Sequence, residues 1–210
     1  MFIVFEGGEG SGKSTQIKLL KKNIELCLGL SVKTTKEPGG TGVGSDIRNI
    51  TLSKSVDPYT LLFLSLADRV EHLKCEILNY KETCDILISD RYYYSTVSYQ
   101  GYGSGIDLKY IDTIHGGLGF LKKPDMVVYL DILPEVGLKR AKKRGELDSI
   151  ESQSILFHQR VREGYIEQVK NNPELFFIVD GSEPMYEIEK LIFGHFMCRI
   201  DKNIYPGVSK

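Results

Sequence analysis

A charge excess of either sign, paired cysteines and long apolar runs are all missing from this chain. Its 27 basic residues are balanced by 28 acidic ones, for a formal net charge of −1. A protein that binds along a nucleic-acid polymer usually carries a clear basic excess, so that class is set aside. The four cysteines, Cys27, Cys75, Cys84 and Cys198, form no C-x-x-C pair, which removes the usual zinc and redox signatures. Cys27 falls on an apolar helical stripe and Cys84 opens a strand, so buried thiols in a reducing cytosol are the simpler reading. No stretch nears the ~20 consecutive apolar residues of a membrane span. The first residues lack the basic segment of a signal peptide, and Glu6 and the glycines after it cut the apolar run short. The expectation is a soluble, cytoplasmic protein whose partners include neither membrane nor nucleic-acid polymer. The 210 residues, 41% of them hydrophobic, suffice for one α/β domain with a sizeable core. With no repeat or low-complexity linker, residues 1–210 read as a single domain.

What is present starts at residue 7. Gly7-Gly8-Glu9-Gly10-Ser11-Gly12-Lys13-Ser14 fits the P-loop pattern G-x-x-x-x-G-K-[ST] at every fixed position. A β-prone apolar run, Phe2-Ile3-Val4-Phe5, precedes it. A helical pattern over residues 15–29 follows, with Ile17, Leu20, Ile24 and Cys27 on one face. That context gives the motif its meaning. The glycines let successive backbone N–H groups turn inward around an anion. The helix aims its positive end at the same place. Lys13 adds a cation for the outer phosphates, and the Ser14 hydroxyl suits Mg²⁺. A nucleoside triphosphate site follows.

Along the chain, residues 31–36 read as a second strand and residues 37–42 as a sharp loop. Short and long helices are expected over 45–53 and 59–80, the longer burying Leu62, Leu66, Val70, Leu73 and Ile77. A third strand over 84–90 ends on Asp90. A tyrosine-rich helix start and a glycine-rich loop over 101–105 come next. A helix over 107–114, a strand over 125–131, a helix opening at Pro134, a helix over 152–171, a strand over 175–180 and a helix over 185–200 complete the order. Residues 201–210 read as a loose tail. Strands alternating with helices predict a parallel sheet with helices on both faces. Ligands then bind at the C-terminal strand ends, which gathers the P-loop, Glu37, Asp90-Arg91 and the loop after Asp180 on one rim.

Two further groups carry chemistry. Asp90 at a strand end can hold Mg²⁺ beside a P-loop, and Arg91 next to it brings a fork of donors near the phosphates. Lys139-Arg140-Ala141-Lys142-Lys143-Arg144 puts five cations in six residues, with Arg140 and Arg144 on one helical face. A short basic lid that closes over triphosphate would exclude water and present arginine to the charge that spreads during transfer. His72, His115, His158 and His195 show no ligand spacing and read as structural or exposed.

These motifs together resemble the thymidylate kinase family, in the bacterial form with arginines in its lid. The resemblance rests on residues 5–15, on Lys36-Glu37-Pro38-Gly39-Gly40-Thr41, on Asp90-Arg91-Tyr92 with Ser95 and Tyr99-Gln100-Gly101, and on Arg140 through Asp148. It implies a P-loop kinase fold with five parallel strands. It also implies transfer of the γ-phosphoryl of ATP to thymidine 5′-monophosphate, a step toward dTTP, with Mg²⁺ as cofactor and a homodimer as the assembly. Gly8, Glu9, Gly10, Ser11, Gly12, Lys13, Ser14 and Thr15 would hold ATP, and Ser14 and Asp90 the metal. Lys13, Arg91, Arg140, Arg144 and Glu9 would form the catalytic group. Glu9 would lie near the acceptor's 3′-hydroxyl, and Arg48 and Arg91 would clamp its phosphate. Arg69 would donate to a thymine carbonyl, Ser95, Thr96 and Gln100 would serve the acceptor, and Tyr99 would crowd the 2′ position. Two positions depart from the family pattern. Lys36 stands where arginine is common, and Ser65 where an aromatic ring often stacks on thymine. An irregular helix that turns Phe63 inward, a weaker stack, or another ring are the alternatives. The competing functions are another nucleoside monophosphate kinase and a GTP-binding switch. The switch usually carries an N-K-x-D motif that this sequence lacks.

Overall fold

The computed structural model describes residues 1–119 and 121–200. The tail expected at 201–210 lies outside the described residues. Five strands, β1 (Phe2–Gly7), β2 (Val32–Lys36), β3 (Ile86–Asp90), β4 (Met126–Asp131) and β5 (Phe176–Asp180), form one sheet in the order β2-β3-β1-β4-β5. Every pairing is parallel, as the alternation of elements predicts. β1 is central and all six of its residues are buried. Successive side chains of a strand point to opposite faces. Phe2 and Val4 therefore join one core layer with Leu87, Val127, Tyr129 and Tyr165. Ile3 and Phe5 join the other with Leu20, Ile88, Val128 and Ile192.

The helices are α1 (Lys13–Leu28), α2 (Gly42–Ser53), α3 (Pro58–His72), α4 (Tyr93–Thr96), α5 (Leu108–Gly116), α6 (Pro134–Arg144), α7 (Ile155–Asn171) and α8 (Met185–Arg199). Local chemistry sets several boundaries. Gly12 and Gly29 bracket α1 in left-handed conformations, φ 94° and 66°, which glycine adopts without a Cβ penalty. Thr41, Asp57 and Ser154 cap α2, α3 and α7 through side-chain oxygens, each satisfying an orphan N–H.

Three expectations are corrected. The helix expected over 59–80 stays α-helical only to His72, widens to a π-turn at Leu73–Ile77 and ends in a 3₁₀ turn at Tyr80–Glu82. Its buried face is not the apolar stripe alone. Leu62, Leu73 and Ile77 are buried, Leu66 and Val70 only partly, and Asp68, Arg69 and His72 are buried with them. Those polar groups are tolerated because each finds a partner: Arg69 and His72 share Glu37, and Asp68 accepts from the Gly39 N–H. The loop expected over 101–105 is mostly a π-helix, Val97–Gly103, continuing α4. Its glycines serve close packing: a Cβ on Gly101 would sit 2.4 Å from Leu108, and one on Gly103 2.7 Å from the Phe157 ring. Of the cysteines only Cys84 is buried; Cys27, Cys75 and Cys198 are exposed. Near the end of α1 it is Leu28, not Cys27, that packs on the core layer. Among the described residues no helix is long and apolar enough to cross a membrane.

Candidate active site

The rim expected from the sequence forms at the C-terminal ends of the strands. Register sets Phe5 and Lys36 beside Asp90, and Asp131 beside Asp180. The Glu37 N–H donates to the Asp90 carbonyl at 2.9 Å, which fixes the loop after β2 against the end of β3.

Residues Gly8, Glu9, Gly10, Ser11, Gly12, Lys13, Ser14 and Thr15 wrap the mouth of a cleft of about 700 Å³, all but Gly8 lining it. The Lys13 ammonium donates to the Gly7 and Gly8 carbonyls, both at 3.0 Å, and to Ser11 Oγ at 3.3 Å. Burial and the neighbouring Arg91 lower its pKa to about 8, against the pull of Asp90, Glu9 and Glu6. Ser14 Oγ–H donates to Asp90 Oδ2 at 3.1 Å. This pair offers two hard oxygens at one point, the donor chemistry Mg²⁺ accepts alongside phosphates and water. Beneath the loop, α6 crosses at a glycine-to-glycine contact. A Cβ on Gly10 would meet the Gly137 carbonyl oxygen at 2.1 Å, and one on Gly137 would meet the Glu9 carbonyl oxygen at 2.2 Å.

Arg91 is the hub between this cleft and its neighbour. Its backbone sits at φ 72°, uncommon for a side-chain-bearing residue. The Arg91 N–H to the Phe5 carbonyl, 2.9 Å, and Ser89 Oγ to the Arg91 carbonyl, 2.7 Å, hold it there. Its guanidinium donates to Glu9 Oε1 at 2.6 Å, Gly7 O at 3.1 Å, Ser95 Oγ at 3.2 Å and Tyr165 OH at 3.3 Å, and lies 4.8 Å from the Tyr99 ring centroid. Burial alone would raise the Glu9 carboxyl; Arg91, Lys13 and the Tyr99 hydroxyl outweigh it and bring it to about 2. Tyr99 donates to the same Glu9 oxygen at 2.7 Å. Under Arg91, Glu6 accepts from the Tyr92 and Ser95 N–H groups, from Ser95 Oγ at 2.6 Å and from Tyr165 OH at 2.9 Å. Burial raises its pKa despite these donors.

Beside the cleft lies a smaller cavity of about 120 Å³, lined in part by Arg48, Arg69, Ser95, Thr96, Tyr99 and Gln100. The Arg69 guanidinium is 2% exposed. It grips Glu37 Oε2 through Nε and Nη2, at 2.9 and 2.7 Å, while Nη1 reaches Thr96 Oγ1 at 3.0 Å and His115 Nε2 at 2.7 Å. An arginine has five N–H donors, so one on Nη2 is left over. His72 Nδ1 holds the other Glu37 oxygen at 2.7 Å, and His72 Nε2 pairs with Thr35 Oγ1 at 2.6 Å. Arg48 donates to the Pro38 carbonyl at 3.1 Å and lines both compartments. Ser65 lines the cavity, whereas Phe63 is 49% exposed and points elsewhere. Because α3 is regular across this stretch, the irregular-helix alternative falls away. Among the described residues, the rings that line the cavity are Tyr92 and Tyr99.

The basic segment stands over the cleft. Arg140 Nη1 donates to the Gly181 carbonyl at 2.7 Å, and Arg144 pairs with Glu151. Both arginines line the larger cleft.

A family model described as thymidylate kinase matches residues 5–192. The chain is 40% identical over 190 residues to a thymidylate kinase from Chlamydia felis, covering 88% of this chain and 91% of that protein. It is 42% identical over 197 residues to one from Carboxydothermus hydrogenoformans, at 89% and 92% coverage. A crystal structure of thymidylate kinase from Ehrlichia chaffeensis superposes with a TM-score of 0.74 at 30% identity, covering 93% of this chain and 98% of that one. The chain belongs to the thymidylate kinase family. Its reaction is the ATP-dependent phosphorylation of thymidine monophosphate, and its fold is the five-stranded P-loop kinase fold.

Of the site residues expected from the sequence, all but Gly8 line one or both of the two compartments. The sequence reading missed the array behind them. His72 and His115, read as structural or exposed, are buried and touch Glu37 and Arg69 directly. The signal available was spacing: His72 lies three residues after Arg69, on the same helical face. Tyr165 and Glu151 carried no motif that would have singled them out, and Glu6 lay within the first motif without a role of its own.

Asp68 also faces the cavity. Burial first, then the nearby Glu37, raise its pKa to about 6, against the Gly39 N–H that it accepts. The native state thus keeps a proton there that the unfolded chain releases near the ordinary value of 3.8. Stability contributed at this site is greatest at low pH and declines as pH rises to about 6. Asn keeps an oxygen for Gly39 and carries no charge. Asp68→Asn is therefore expected to gain on the order of 1–2 kcal/mol relative to wild type between pH 4 and 7, discounted because the carboxyl meets an open cavity. Urea unfolding at the two pH values measures it; an unchanged difference rules out the raised pKa.

Proposed function

We propose that ATP occupies the larger compartment and thymidine monophosphate the smaller, with their phosphates meeting between Lys13 and Arg91. One observation carries this reading. Glu9, Glu37, Arg48, Arg91 and Asp148 line both compartments, so a donor and an acceptor would share one charged wall. Phosphoryl transfer demands positioning and charge neutralisation more than covalent chemistry. Lys13 and the loop amides bind the ATP phosphates. Ser14 and Asp90 would hold Mg²⁺, which when bound neutralises phosphate charge. Arg48 and Arg91 clamp the acceptor phosphate, and Glu9 accepts from its sugar hydroxyl. The remaining Arg69 donor serves a base carbonyl, with Thr96 and Gln100 at the polar edge of the base and Ser95 holding Arg91. Tyr99, fixed by its bond to Glu9, crowds the 2′ position and favours deoxyribose. Arg140 and Arg144 close over the transferring group, and the loop after Asp180 packs on adenine.

Steady-state rates with a panel of monophosphates test the reading, with thymidine monophosphate expected to be preferred. A preference for an adenine or guanine acceptor would overturn it. Arg144→Ala is expected to lower kcat by about a hundredfold or more while the ATP KM stays within about threefold. Equal loss in both would mean that the arginine only binds. The proposed assembly is a cytoplasmic homodimer. Exposed Tyr59, Phe63 and Tyr110, the first and last in ring contact, supply apolar surface for it to bury. Sedimentation equilibrium distinguishes dimer from monomer.

A further inference from the structure

The turn after α6 is built more firmly than a solvated linker needs to be. Asp148 Oδ1 accepts from the Ile150 and Glu151 N–H groups at 2.9 and 2.8 Å, and Glu151 Oε2 accepts from the Asp148 N–H at 3.2 Å. This reciprocal pattern is a capping box closed around a single turn, completed by the Ser152 N–H to the Asp148 carbonyl at 2.9 Å. The turn is fastened to α2. The Ser149 N–H donates to the Leu52 carbonyl at 3.0 Å and Ser149 Oγ to the Thr51 carbonyl at 2.6 Å.

Within that turn the Glu151 carboxylate is 3% exposed, while the Arg144 side chain it binds is 67% exposed. An exposed arginine loses rotamer entropy when it adopts one position. A tether on one N–H of Nη2 removes much of that cost and leaves four donors for an anion. Arg144 and Glu151 both line the phosphate cleft, Ile150 lines the acceptor cavity, and Asp148 lines both. The clasp on α2 reaches the helix that carries Arg48.

We propose that Glu151 is the positioning residue for Arg144: the capping turn and the Ser149 clasp fix its carboxylate, and it holds the guanidinium at the cleft before nucleotide arrives. The inference rests on the reading of Arg144 as the arginine that closes on the transferring group. Glu151 does not touch the reacting atoms. Its effect runs through Arg144, so the two residues must couple.

The test is a double-mutant cycle in kcat, using Glu151→Ala and Glu151→Gln, each with and without Arg144→Ala. With Arg144 present, Glu151→Ala is expected to lower kcat about tenfold and leave both KM values within about threefold. With Arg144→Ala, the same change is expected to cost less than about twofold. Gln keeps one acceptor oxygen and should fall between wild type and Ala, with a urea midpoint close to wild type to show that the turn is intact. Equal losses in both backgrounds would make Glu151 a structural residue and overturn the proposal. A faster Glu151→Ala enzyme would also overturn it, because the carboxylate would then be withholding Arg144. If Arg144→Ala alone leaves kcat unchanged, the reading of Arg144 fails first and the proposal falls with it.

Discussion

Replacing Lys13 with alanine is expected to slow phosphoryl transfer by at least about a thousandfold. The ammonium sits at the centre of the phosphate loop, held by two carbonyls and the Ser11 hydroxyl. Among the described residues it is the cation supplied by the loop itself, with Arg91 reaching the Gly7 carbonyl and Glu9 from just past β3. Its pKa near 8 adds a signature. The native chain disfavours the charged form, so the site's stability contribution rises as pH goes from about 8 toward 10.5, where the unfolded chain still holds the proton. An incoming polyphosphate reverses that preference and stabilises the ammonium. ATP affinity of the wild type should therefore weaken as pH climbs above about 8, and Lys13→Ala should lose this slope along with the activity. Single-turnover rates and calorimetric titrations at pH 7 and 9 measure both effects. A variant within about tenfold of wild type would falsify the assignment.

Replacing Arg91 with alanine should cost both catalysis and stability. The guanidinium is the proposed clamp on the acceptor phosphate, and its loss is expected to lower kcat/KM for thymidine monophosphate by about a hundred- to a thousandfold. It also leaves the half-buried Glu9 without its cation. With Arg91 in place, the Glu9 pKa is depressed to about 2. The corresponding stability is present above about 4.5 and fades as pH falls toward 2. Without Arg91 the largest part of that contribution disappears, leaving Lys13 and Tyr99 against the upward push of burial. The expected loss near neutral pH is about 2–3 kcal/mol. That is below the cost of breaking a fully buried pair, because the two side chains keep 16% and 17% of their surface exposed. Adding Glu9→Gln to Arg91→Ala should restore much of the stability and none of the activity. Denaturant unfolding of the single and double variants separates the two. A double variant no more stable than Arg91→Ala would show that the pair is not the source of the loss.

The parts legible in the sequence were those whose chemistry is local. The phosphate loop is one uninterrupted run whose glycines, lysine and serine each have a fixed place. β1, β3 and β4 are apolar runs that cannot be mistaken for surface, and the alternation of strands with helices implied the parallel sheet. What was not legible is carried by long-range pairs. Glu37 meets Arg69 and His72 from 32 and 35 residues away, and Tyr165 meets Glu6 from 159 away. No spacing rule reaches that far. Glycine misled at residues 101 and 103 because the same residue marks a turn or a close approach, and here it is the approach. The choice among the alternatives that Ser65 left open waited on the cavity, where among the described residues no ring enters from that side of α3.

The contact between Gly10 and Gly137 has a mechanical consequence. Neither residue has room for a Cβ against the facing backbone, so the first turn of α6 and the phosphate loop behave as one solid piece. Any swing of Arg140 and Arg144 has its fulcrum downstream of residue 137. The lever is then only the last two turns of the helix, short enough to move its charges without disturbing the cradle beneath them.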